Sequence, residues 1–191
     1  MIERLSRQAS KQEEKAIFGS LGDLVRILAL GIADGEPKNC FTSAAMATLA
    51  QTELQEGVEV VTIKENLSSL SAGIDNWDAR RSIRTLKKAG VHIEFQGRMQ
   101  EDDIGRMLEE CAEHTFIAVE NYSDGESPHP NKLGLHILGL LGKTPSGDVV
   151  YWDAQTYPGL FVTTIENLAH AAGQTYGLCD RRTPNIIRFH F

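Results

Sequence analysis

The run Leu133-Gly134-Leu135-His136-Ile137-Leu138-Gly139-Leu140-Leu141-Gly142-Lys143-Thr144-Pro145-Ser146-Gly147-Asp148-Val149-Val150-Tyr151-Trp152-Asp153-Ala154-Gln155-Thr156 sets two apolar, β-prone stretches around a turn that contains proline and glycine. Such punctuation between apolar runs is a hairpin signal. With 144–147 as a four-residue loop, Lys143 faces Asp148 and His136 faces Gln155. Side chains alternate with a period of two along a strand, so Asp153 then lies one diagonal step from His136 on the same face. A tighter or shifted turn would set His136 directly opposite Asp153. In either register a carboxylate or an amide reaches the imidazole, fixes its tautomer and leaves the other nitrogen for a nucleophile.

The nucleophile that the sequence offers is Cys40. A thiol does acyl chemistry as its thiolate, and an ordinary cysteine has a pKa of about 8.5, so it needs a helix N-terminus or an imidazolium beside it. Gly35-Glu36-Pro37 stands just upstream of Asn39-Cys40, and the small-residue stretch Phe41-Thr42-Ser43-Ala44-Ala45-Met46-Ala47-Thr48-Leu49-Ala50 just downstream reads as a core helix. Cys40 is thereby placed at a loop-to-helix junction, where unpaired N–H groups and the positive end of the helix dipole favour a thiolate. The competing reading of such a cysteine is a small buried hydrophobe, and that of His136 a structural histidine in an apolar strand. It is the conjunction of Cys40, His136 and Asp153 that argues for a site.

Around these residues the pattern predicts helices over 2–17, 21–32, 78–89, 101–114 and 164–172. It predicts strands over 58–63, 91–95, 115–120, 133–141, 149–155 and 185–191. The polar stretch 121–132 has no periodicity and reads as a loop facing substrate. The fold class is α+β, one domain over 1–191, with 1–15 either a peripheral helix or a delivery segment. The formal charge of −7, from 26 acidic against 19 basic residues, argues against the basic surface that nucleic acid attracts. No apolar run approaches the roughly 20 residues that span a bilayer. The N-terminus lacks the apolar stretch of a secretory signal, so the chain is expected to be made in the cytoplasm.

Three cysteines, Cys40, Cys111 and Cys179, are too scattered for a disulfide framework or a paired zinc motif, and neither a metal nor another cofactor is expected. Cys111 falls on the apolar face of its helix as a core thiol. Cys179 precedes Asp180-Arg181-Arg182 but has no histidine placed to serve it. His114 and His170 stand at helix ends as dipole partners, His129 in the polar loop, and His92 and His190 at partly exposed strand positions. Gly134 and Gly139 lie within a strand pattern, which is no phosphate loop.

Asn39-Cys40 opening a helix, His136 in an apolar strand, and Val150-Tyr151-Trp152-Asp153-Ala154-Gln155-Thr156 after a glycine turn together resemble the papain-like fold, especially its toxin and effector branch. The resemblance covers 37–48 and 133–159. It implies an N-terminal helical part, with the cysteine at a helix start, packed on an antiparallel sheet that carries the histidine and aspartate. It further implies Cys40 as nucleophile, His136 as base and Asp153 as orienting acid, with Gln155 supporting the site or competing for the third place. The implied activity is deamidation of a glutamine side chain on a protein of another cell, reached by secretion as an effector. A cysteine peptidase or a transglutaminase would use the same residues, and a catalytically inert binding module would keep the fold. Peptidases of this fold place a glutamine shortly before the cysteine, whereas Gly31-Ile32-Ala33-Asp34-Gly35-Glu36 has none. The backbone N–H of Cys40 and the side chain of Asn39 are the candidate oxyanion donors.

Overall fold

The computed structural model describes residues 6–18, 44, 47–48, 87–88, 91–110, 114–120, 135–153, 159–177 and 185–190. Among them, in chain order, are β1 (Arg7–Gln8), α1 (Lys11–Phe18), β2 (His92–Gln96), α2 (Glu101–Glu110), β3 (Thr115–Glu120), β4 (Leu135–Lys143), β5 (Val149–Asp153), β6 (Gly159–Thr163), α3 (Ile165–Gly173), a 3-10 turn (Gln174–Gly177) and β7 (Ile186–His190). The strands form one sheet of order β1-β6-β5-β4-β3-β7-β2, and every pairing in it is antiparallel. The class is therefore α+β with an antiparallel sheet. No helix among the described residues is long and apolar enough to cross a membrane.

Helices cover both faces of this sheet. On one, α2 turns Ile104, Met107 and Leu108 inward, the i, i+3, i+4 spacing of a single helical stripe. These join Leu168, Ala169, Ala171 and Ala172 of α3 over Ile117, Val119, Leu138, Leu140, Val149, Tyr151 and Ile186. On the other, Ala47 packs with Leu141, Val150, Trp152, Leu160 and Val162, and Ala9 and Ile17 lean on the same cluster. Ala44, Ala47 and Thr48 are helical and buried, as the small-residue pattern predicted for this stretch. Lys87 and Lys88 are helical too, within the predicted 78–89. The other parts of those helices, and the elements read over 21–32 and 58–63, lie outside the described residues.

The hairpin differs from expectation in one instructive way. Lys143 faces Val149 rather than Asp148, so the loop has one residue more than predicted. Thr144 closes it: its N–H donates to the Asp148 carbonyl (2.8 Å), its carbonyl accepts from Gly147 N–H (2.9 Å), and its Oγ1 accepts from Asp148 N–H (3.1 Å). Gly147 sits at φ 92°, a conformation that costs a side-chain-bearing residue about 1 kcal/mol. A bulge between Leu140 and Gly142 then takes up the extra residue. Beyond it the pairs are Leu140 with Tyr151 and Gly139 with Trp152, the pairs that the shorter loop predicted.

Two further readings are corrected. The helix expected over 2–17 is interrupted, because Arg7 and Gln8 pair with Val162 and Phe161 at the sheet edge. The helix proper starts after Ser10, whose Oγ accepts from Glu13 N–H (3.3 Å) while Glu13 Oε2 accepts from Ser10 N–H (2.8 Å), the reciprocal capping box. Strand β6, a short run that follows Tyr157-Pro158 in the sequence, was not expected. Thr164 ends it and caps α3, its Oγ1 accepting from Asn167 N–H at 3.2 Å.

Candidate functional site

His136 is the second residue of β4 and Asp153 the last of β5, so both stand at the open end of the hairpin, away from its turn. Continuing the pairs Leu140–Tyr151 and Gly139–Trp152 outward places Leu138 across from Asp153 and His136 on its diagonal. Period-two alternation keeps that diagonal on one face. The imidazole Nε2 lies 2.7 Å from Asp153 Oδ1, and both residues are only 3% exposed.

A carboxylate can only accept, so the proton of this hydrogen bond belongs to Nε2. Asp153 thus fixes both the ring plane and the tautomer; the other ring nitrogen, Nδ1, is itself a buried atom. On β3, Val119 is the residue paired with His136, and its buried side chain shares the face with the ring. That apolar wall lowers the local dielectric and strengthens the charge-assisted contact.

The two layers meet the hairpin differently. His136 and Asp153 project from the face of Val119, Leu138, Leu140 and Tyr151, whereas Gly139 meets Ala44 on the opposite face. A Cβ built on Gly139 would stand 3.0 Å from Ala44 Cβ and 3.2 Å from its backbone, so glycine is what lets that helix lie directly on β4. Ala47, three residues on, joins the cluster of Leu141, Val150, Trp152, Leu160 and Val162 on that face.

Of the residues singled out in the sequence, His136 and Asp153 are brought together. Cys40, Asn39 and Gln155, the loop 121–132, Cys111, Cys179 and His129 lie outside the described residues. His170, in the last turn of α3, has Nδ1 3.0 Å from Glu101 Oε2 across the α2–α3 contact. His114 takes a left-handed turn into β3 (φ 54°) and its carbonyl accepts from Phe189 N–H at 2.9 Å. The role of Gly139 was missed. The signal that marks it is a glycine inside an apolar strand, which means a close approach of another backbone, read together with an alanine-rich helix needing somewhere to lie.

Comparison of the chain with protein-family models, with curated proteins and with solved structures finds no match in any of the three.

Proposed function

We propose that this chain is a thiol hydrolase of papain-like type that acts on an amide, with Cys40 as nucleophile, His136 as general base and acid, and Asp153 as the residue that orients the histidine. The observation that supports it most is the buried hydrogen bond between His136 Nε2 and Asp153 Oδ1, the kind of contact by which a carboxylate orients a general base.

The substrate we favour is the side-chain amide of a protein glutamine. The Cys40 thiolate attacks the amide carbon, and the tetrahedral oxyanion is held by the backbone N–H of Cys40 and the side chain of Asn39. His136 then gives its proton to the departing nitrogen, so that ammonia leaves and a thioester remains. Water, losing a proton to His136, cleaves the thioester to glutamate and restores the thiol. A peptide bond in place of the glutamine amide would make the same residues a peptidase, and an amine in place of water a transglutaminase.

A second reading is a binding module with this fold and no catalysis, and one observation favours it: the imidazole and the carboxylate are buried as deeply as the core around them. Alkylation of Cys40 by iodoacetamide across pH, located by mass spectrometry, separates the two. Labelling that stays fast at mildly acidic pH and slows in His136→Ala is expected of an ion-paired thiolate. Labelling with an ordinary thiol profile, unchanged in His136→Ala, would leave Cys40 structural and the binding module as the better reading.

A further inference from the structure

At the sheet edge farthest from β1, β2 and β7 pair in register, so that His92 faces His190 and Glu94 faces Arg188. The two imidazole rings have centroids 5.7 Å apart at an interplanar angle of 41°. Glu94, two residues along β2 and hence on the face of His92, has Oε2 3.6 Å from His190 Nε2. Its other oxygen is engaged, since Gln96 Nε2 donates to Oε1 at 2.7 Å. That hydrogen bond, with His190 and Arg188 nearby, holds the Glu94 carboxyl below the usual carboxylate range, so the group is an anion at neutral pH. The side chains of His190 and Glu94 are 48% and 43% exposed, and His92 is exposed as well.

We propose that His92 and His190 form a cross-strand clamp for a divalent transition metal of the imidazole-preferring group, nickel, copper or zinc, with Glu94 as a third donor and water completing the shell. Imidazole suits these ions, and a carboxylate beside two neutral nitrogens supplies charge without crowding. No three such side chains already converge among the described residues. The clamp therefore closes by rotation of exposed side chains, which their freedom from packing permits. Gln96 acts as an outer-shell partner that keeps Oε2 turned toward His190. The ion would bridge β2 and β7 only while they are paired, so binding stabilises the folded chain in proportion to its concentration.

The test is calorimetric titration of the full chain with nickel chloride, paired with thermal melts with and without the ion. Wild type is expected to bind one equivalent and to melt higher with nickel. His92→Asn and His190→Asn should each lose affinity by at least about tenfold, the loss that even an outer-shell change produces, and should melt at one temperature with or without the ion. His170→Asn should bind as wild type does. Both clamp positions are exposed, so melts without metal that match wild type certify that the variants fold. Binding undiminished in both variants, or none up to millimolar nickel, overturns the site.

Discussion

Asp153 and His136 illustrate how much depends on a single pair when water is excluded. Each side chain is buried and hydrogen-bonded to the other, so removing one takes from its partner a contact that water is not there to replace. Asp153→Leu, which takes away the acceptor 2.7 Å from Nε2, is expected to cost about 3–5 kcal/mol. Asp153→Asn keeps an accepting oxygen in place and should cost about 1 kcal/mol; urea unfolding of the two variants beside wild type gives both numbers. If the ring orientation matters for reactivity, Asp153→Asn should also label Cys40 more slowly than wild type.

The contact between β4 and the helix of Ala44 and Ala47 is a matter of two backbones. Gly139→Ala drives a methyl against Ala44 Cβ and backbone, where nothing flexible can yield, and overpacking of this kind costs about 1–3 kcal/mol. Ala44→Gly combined with Gly139→Ala should recover part of that loss, because the closest atom, Ala44 Cβ, is then gone; the double-mutant cycle in urea decides it. The hairpin was legible in the sequence for a reason particular to strands. Alternation fixes which residues share a face, and the only free quantity is the register. The bulge was not legible, because nothing in Leu140-Leu141-Gly142 distinguishes a bulged leucine from a paired one. The two-residue β1 was too short to show a period, and Leu160-Phe161-Val162 of β6 is an unbroken apolar run with no alternation to read. The capping box Ser10-x-x-Glu13 was present and marks the true start of α1, though the charged run before it read as continuous helix. The approach of the thiol to the imidazole that the proposed reaction requires is a long-range relation that no local pattern encodes.

For the molecule as a whole, the N-terminal segment is a fastening as well as a strand. Arg7 donates to both Glu13 carboxylate oxygens, at 2.8 and 2.6 Å, and Tyr151, fully buried, donates its hydroxyl to Ser6 Oγ at 2.9 Å. The Arg7 hydrogen bond, helped by Ser10, lowers the Glu13 carboxyl from 4.5 to about 2. A depressed folded-state value means that the contribution is complete above the ordinary 4.5, fades as pH falls from there, and is gone near 2. Glu13→Gln should therefore melt below wild type at neutral pH, with the gap closing over that acidic window in a series of thermal melts. The strand order also implies an order of assembly. β4, β5 and β6 follow one another in the chain and lie side by side, whereas β1 must travel from the far end of the sequence to reach β6, and β7 returns from the C-terminus to reach β3. Pairings between near neighbours close small loops and form first, and distant ones follow. The histidine and its carboxylate belong to the early meander, so the orienting half of the proposed site is built before the edges of the sheet are sealed.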